Sequence, residues 1–255
     1  MIANYHTHTP RCRHASGEEE AYVRNAIARG LTTFGFSDHT PQYFPGEYYS
    51  FMRMYPQELE DYCGTVRALR KQYQGQLDIP LGLESEYYPG TWQEQLPRLQ
   101  DAGIEYLILG QHWLGNEENE HGCSAPTADE HLLKRYCRQV MEGLETEKFS
   151  YLAHPDLFRF VGEPRIYRRH MGEVIELARE GGIPLEINLL GIHSRRHYPC
   201  RTFWELAAEI GGQVILGMDA HDPRHVLDTA PEETALELVN SLGLNLISTM
   251  ELKPI

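Results

Sequence analysis

The chain lacks the marks of a secreted, membrane-spanning or disulfide-stapled protein. Its start, Met1-Ile2-Ala3-Asn4-Tyr5-His6, has no basic region followed by an apolar one, and no run of about 18 apolar residues occurs, so neither a signal peptide nor a membrane span is expected. Cysteine is scarce. Cys12, Cys63, Cys123, Cys137 and Cys200 are an odd set with no C-x-x-C pair, which argues against a disulfide scaffold and for a reduced, cytoplasmic setting. Positive charge is in deficit: 23 Lys plus Arg face 37 Asp plus Glu, a net charge of −14. Affinity built on neutralising nucleic-acid phosphates is therefore not expected, though a local basic pocket for one small phosphate stays open. A Walker-type loop, a G-x-S-x-G elbow, linkers and repeats are all missing. What remains is a globular composition, 41% hydrophobic and 24% charged, read as one domain over residues 1–255.

Histidine is the residue in excess, at 13 against 8 Phe and 7 Met. Imidazole fills a core poorly and is the commonest metal ligand, so its placement matters. Short apolar runs at Ile2–His8, Thr33–Asp38, Ile79–Glu86, Tyr106–His112, Ser150–His154, Pro184–Asn188 and Val214–Asp219 read as strands. Helical spacing lies between them, as in Tyr167, Met171, Val174, Ile175 and Ala178 before Gly181-Gly182. Further helices are expected near residues 17–29 with Ser16 as N-cap, after Pro56, and near Thr127. Such alternation predicts a mainly parallel sheet, either closed as a barrel or open and doubly wound. The aromatic-rich stretch holding Tyr43, Phe44, Tyr48, Tyr49 and Phe51 reads as a lid-like loop.

Nearly every strand ends in ligand-type residues. They are His6-Thr7-His8, Asp38-His39, Glu84-Ser85-Glu86, Gln111-His112, His154-Pro155-Asp156, Glu186 with Asn188, and Asp219-Ala220-His221. Parallel α/β folds assemble their sites at the carboxyl ends of the strands, so these residues are expected to converge. Residues two apart on a strand share a face, which pairs His6 with His8 and Asp219 with His221. Neutral imidazoles and carboxylates are what Zn²⁺, Mn²⁺ or Fe²⁺ accept. Asp38 and Asp156 read as groups that orient such ligands, assist the leaving group or support the fold, and Tyr43, Tyr87 and Tyr88 as packing or as walls for a substrate ring. His121, His131, His170 and His225 read as surface residues.

The motifs His6-Thr7-His8-Thr9, Cys12-Arg13-His14-Ala15, Phe36-Ser37-Asp38-His39, Gly82-Leu83-Glu84, His112, Ala153-His154-Pro155-Asp156-Leu157 and Gly217-Met218-Asp219-Ala220-His221 run in the order of the polymerase-and-histidinol-phosphatase (PHP) superfamily, which the chain resembles from Tyr5 to about Pro223. Within it the chain looks like the stand-alone histidinol-phosphate phosphatases. The resemblance implies a distorted seven-stranded (β/α)7 TIM-like barrel with its metal site at the C-terminal strand ends. It implies three divalent ions, Zn, Mn or Fe. His6, His8, Glu84 and Asp219 would hold one, Glu84, His112 and His154 the second, and His14, His39 and His221 the third. Glu84 is preferred to Glu86 because it takes the G-x-E place. Glu84, Asp219 and His221 are the catalytic candidates, and Arg159 and Arg196 the candidates for substrate phosphate, with Arg195 the rival of Arg196. The implied activity is phosphomonoester hydrolysis by metal-bridging hydroxide, L-histidinol phosphate in histidine biosynthesis being the named substrate. The alternatives are phosphotyrosine, sugar or nucleotide monophosphates, a nuclease, or a non-catalytic metal-binding module. The expected partner is a small phosphate monoester, with neither nucleic acid nor membrane.

Overall fold

Strand-end ligands can meet only if the strands run parallel and their ladder closes, and both conditions hold in this computed structural model. It describes residues 1–255 except Pro45 and Asn119. Strand β1 (Ala3–Asn4) pairs with β2 (Thr33–Phe34), and β3 (Gly82–Ser85), β4 (Tyr106–Leu109), β5 (Phe149–Leu152), β6 (Leu185–Asn188), β7 (Gln213–Gly217) and β8 (Asn245–Leu246) pair in that order, all parallel. Single parallel bridges complete the circuit. Thr33–Asp78, Phe36–Leu81 and His39–Glu84 join the second strand to the third, and Thr7–Ala220 joins the segment after β7 to the one after β1. The result is a distorted TIM-like barrel. The seven expected strands form with shifted bounds, because the ladder gives way where the ligand-bearing ends turn. The short β8 beside β7 is an addition that the sequence reading did not include.

Alternation decides what each strand puts inside. Leu107 and Leu109 of β4, and Val214 and Leu216 of β7, join the outer core under the helices. Tyr106, Ile108, Tyr151, Ala153 and Ile215, with Ala3 and Tyr5, form a separate apolar floor inside the barrel. Tyr106 spans that floor and donates its hydroxyl to Tyr5 O at 2.8 Å. A Cβ on Gly82 would fall 2.3 Å from the Tyr106 ring. Gly82→Ala is therefore expected to lower stability by about 1–3 kcal/mol through overpacking, read as a fall of several degrees in Tm. An unchanged Tm would show that the floor has slack.

Helices α1 (Glu19–Arg29), α2 (Leu59–Gln72), α3 (Trp92–Asp101), α4 (Glu130–Glu145), α5 (Pro164–Glu180), α6 (Leu189–His193), α7 (Arg201–Ile210), α8 (Pro223–Leu227) and α9 (Ala230–Leu242) surround the strands. On α5 the buried stripe includes Tyr167, Met171, Val174, Ile175 and Ala178, and Gly181 caps the end. The expected N-cap at Ser16 is corrected: Glu18 takes the N-cap position of α1, without a side-chain cap bond. Ser16 instead donates its N–H to His221 O at 2.9 Å and its hydroxyl to Asp222 at 3.1 Å. That tertiary anchor, which draws the His14 turn toward β7, outcompetes the local cap. Among the described residues no helix is long and apolar enough to cross a membrane.

Candidate metal centre and active site

Glu84 occupies the hub of the barrel mouth. Leu81 and Leu83 point into the outer core, so Glu84 faces inward. It needs room across the neighbouring strand, where a Cβ on Gly110 would lie 1.9 Å from its Oε1. Gly217 makes the same allowance for Glu186, at 1.7 Å. From this hub, Oε1 meets His154 Nε2 at 2.7 Å and His112 Nε2 at 3.5 Å. Oε2 meets His39 Nδ1 at 2.9 Å, His8 Nε2 at 3.5 Å and His6 Nε2 at 3.6 Å. Asp219 Oδ1 stands 3.0 Å from His8 Nε2, 3.6 Å from His6 Nε2 and 3.2 Å from His221 Nδ1. Backbone turns of positive φ at His154 (29°) and Asp219 (50°) aim these two side chains, a conformation that costs L-residues energy and clusters at functional sites.

Outer acceptors set the histidine tautomers. The Nδ1–H of His6 donates to Glu186 at 2.7 Å, that of His8 to Asp38 at 3.4 Å and that of His112 to Glu86 at 3.1 Å. His14 and His221 donate theirs to the carbonyls of Cys12 (2.8 Å) and Asp219 (2.9 Å). Carboxylates and carbonyls can only accept, so in the neutral form of all five rings, the form that binds a metal, the lone pair sits on Nε2. These lone pairs face inward, and His14 Nε2 and His221 Nε2 stand 3.0 Å apart.

Such an arrangement fits divalent cations. His6 Nε2, His8 Nε2, His39 Nδ1, His154 Nδ1, Glu84 Oε2 and Asp219 Oδ1 are buried without a hydrogen-bond partner. Lone pairs directed at one another with no donor between them are costly, and a cation relieves them. Field and burial compete at His6. Burial pushes its pKa down, but Glu186, Asp219 and Glu84 raise it to about 10, so the pocket draws positive charge. Ligand atoms within 4.8 Å of one another group as His6–His8–Asp219, His6–Glu84–His154, His8–His39–Glu84 and His14–His39–His221. Eight of the nine residues expected as ligands stand in these groups, and the ninth, His112, reaches Glu84 Oε1 through Nε2 at 3.5 Å. A further group, His8–Cys12–His221, includes a thiol that the sequence reading placed in the Cys12-Arg13-His14-Ala15 motif but did not count among the ligands.

The cluster opens into a cavity of about 840 Å³. Arg159, Arg195 and Arg196 all line it, with His197 and Tyr198. Arg196 donates to the Tyr198 hydroxyl at 2.5 Å. Burial opposes its charge, yet Tyr198, Asp219 and Glu84 together raise its pKa. His193 turns away and pairs with Asp228 at 2.9 Å. Asp38 accepts from His8 Nδ1, Thr9 N and the Thr9 hydroxyl, and so orients the His8 ring. Asp156 orients no histidine: it takes Trp204 Nε1–H at 3.0 Å and the Cys200 N–H, tying the arginine-bearing loop to β5, and burial pushes it up to about 7.

Tyr43, Tyr87 and Tyr88 follow the packing reading: none of them lines this cavity, whereas Phe51, Met52 and Trp113 do. The stretch read as a lid thus supplies part of the wall. His170 is buried rather than on the surface, 3.1 Å from Glu130. Glu186 was read only as a strand-end carboxylate. It accepts from His6 Nδ1, His154 N, Asn188 Nδ2 and the Tyr151 hydroxyl. Its inward parity on β6 was the available signal. Arg53 and Glu117 were missed altogether.

Comparison with known proteins agrees with this geometry. The family model described as PHP domain matches residues 4–189. The chain is 29% identical over 234 residues to a protein of Deinococcus radiodurans named probable histidinol-phosphatase, covering 88% of each chain. It is 29% identical over 251 residues to the histidinol-phosphatase of Bacillus subtilis, covering 85% of this chain and 92% of that one. The crystal structure of histidinol phosphate phosphatase from Lactococcus lactis, complexed with zinc, L-histidinol and phosphate, superposes with a TM-score of 0.75 at 20% identity, over 98% of this chain and 97% of that one. At that identity the likeness speaks for the fold. Family model, barrel and strand-end cluster lead to one conclusion: the chain belongs to the PHP domain family.

Proposed function

We propose that this chain is a metal-dependent phosphomonoesterase that hydrolyses L-histidinol phosphate to L-histidinol and inorganic phosphate. The observation that carries the reading is the set of buried, unpartnered nitrogen and oxygen atoms of His6, His8, His39, His154, Glu84 and Asp219 at the foot of a cavity lined by Arg159, Arg195 and Arg196. The named relatives support the substrate.

In this reading His6, His8, Glu84 and Asp219 hold one ion, Glu84, His112 and His154 a second, and His14, His39 and His221 a third. Bound divalent ions supply Lewis-acid charge and bring the pKa of water toward neutrality. Glu186, Asp38 and Glu86 hold the His6, His8 and His112 rings with their lone pairs turned inward. Arg159 and Arg196 grip the phosphate, whose dianion their planar forks match. Glu84, Asp219 and His221 act at the reacting phosphate. The strands from Ala3 to Leu246 join in one parallel ladder, which supports one working domain. A net charge of −14 stands against a nucleic-acid substrate.

Phosphate release from histidinol phosphate, p-nitrophenyl phosphate, a phosphotyrosine peptide and single-stranded DNA tests the reading, with Mn²⁺ supplied. A kcat/KM for histidinol phosphate at least 100-fold above the rest is expected, about 2.7 kcal/mol of discrimination. A flat profile would keep the phosphatase and discard the named substrate.

A further inference from the structure

Arg53 lies between β2 and α2 and is 1% exposed. Its guanidinium forks onto Glu86 with two bonds of 2.8 Å, reaches Glu117 Oε2 through Nε at 2.8 Å, and donates to Thr40 O at 3.0 Å. Glu117 is buried as well and accepts the Tyr48 hydroxyl at 3.0 Å. Taking three charges out of water is expensive, and packed apolar residues of equal volume commonly do as well for stability. Their geometry points to another use, because each partner belongs to a segment that forms the cavity. Phe51 and Met52, just before Arg53, line its wall, and so does Trp113, on the loop that carries Glu117. Trp113 Nε1–H donates to Met52 Sδ at 3.0 Å, closing the wall on itself. Glu86 Oε1, held by Arg53, also receives the Nδ1–H of His112.

We propose that Arg53 is a positioning residue that locks the wall formed by Phe51, Met52 and Trp113 to His112, through Glu117 on one side and Glu86 on the other. The wall offers a phenyl ring, a thioether and an indole, surfaces that suit a planar ring. It therefore selects phosphate esters whose alcohol carries a ring, and the Glu86 arm keeps that ring in register with the phosphate end. The inference rests on the phosphatase reading for its substrate, while the Glu86 arm stands without it.

Arg53→Lys keeps the charge and loses the fork. The full-length, metal-loaded variant is compared with wild type in two ways. The first is the ratio of kcat/KM for histidinol phosphate to that for phosphoethanolamine, a ringless ester. The second is the chelator concentration that strips half the bound metal. Wild type is expected to favour the ring-bearing ester; Arg53→Lys should lose at least 10-fold of that preference and release metal at a chelator concentration at least 10-fold lower. A folded variant with both readouts unchanged overturns the proposal, as does a wild type with no preference for the ring. Should Arg53→Lys not fold, Glu117→Leu, which leaves no acceptor for Arg53 Nε, cuts only the wall arm. It should lose the preference and keep its metal, and an unaltered preference overturns the proposal. A wild type that hydrolyses neither ester sinks the phosphatase reading instead, and metal retention in Arg53→Lys then decides the Glu86 arm alone, unaltered retention overturning it.

Discussion

Glu84→Gln should leave a folded protein whose phosphate release has fallen by on the order of 10³-fold, about 4 kcal/mol of lost transition-state stabilisation. Among the described residues this side chain is the one carboxylate that faces His6, His8, His39, His112 and His154 together. A carboxamide keeps its shape. It removes the negative charge that draws cations and replaces one oxygen by an amino group, which cannot ligate. The same amino group can donate to the inward lone pairs of the neighbouring histidines, so the metal-free variant should melt no lower than metal-free wild type. Turnover, metal stoichiometry and Tm together separate loss of the site from loss of the fold. Turnover at the wild-type rate would remove Glu84 from the centre.

Metal removal is the second large effect. Dialysis against EDTA should abolish turnover, and Mn²⁺, Zn²⁺ or Fe²⁺ should restore it. The melting temperature should fall as well, because the stripped centre holds six buried atoms without hydrogen-bond partners. Ions at about 1,000 times their dissociation constant stabilise the folded chain by about 4 kcal/mol. For a chain of this size that corresponds to a fall of roughly 10 °C. A Tm and a rate both indifferent to the chelator would contradict the metal centre outright.

Much of this centre was legible before any coordinates, for a simple reason. A parallel barrel puts every C-terminal strand end on one rim, so polar residues that recur at successive strand ends are bound to meet. His6 and Asp219 are far apart in the chain and 3.6 Å apart in space for that reason. Tautomers were not legible, since they depend on acceptors from other strands, such as Glu186 for His6 across 180 residues. The cavity wall was hidden differently. Phe51 and Met52 lie in a stretch with no helical or strand period, where an aromatic reads equally as packing, lid or wall. The same ambiguity left Tyr43, Tyr87 and Tyr88 between packing and wall, and packing is what they do. Tyr43 lies beneath Arg98, Tyr87 packs on Trp92, and Tyr88 is buried.

Arg53 shows where the boundary falls. Its sequence context, Phe51-Met52-Arg53-Met54, suggests a charge that escapes to solvent, yet it is among the most buried side chains. Only the folded chain brings Glu86 and Glu117 to either side of it, from 33 and 64 residues away. Ser16 makes the same point, its local capping role displaced by a partner more than 200 residues distant. Strand order, the facing of alternate residues and the gathering of ligand types at one rim follow from local periodicity, which any short window of sequence carries. Which carboxylate turns which ring, and which cation ties the wall to the rim, depend on contacts between segments remote in sequence; no local pattern encodes them, and closure of the barrel selects them.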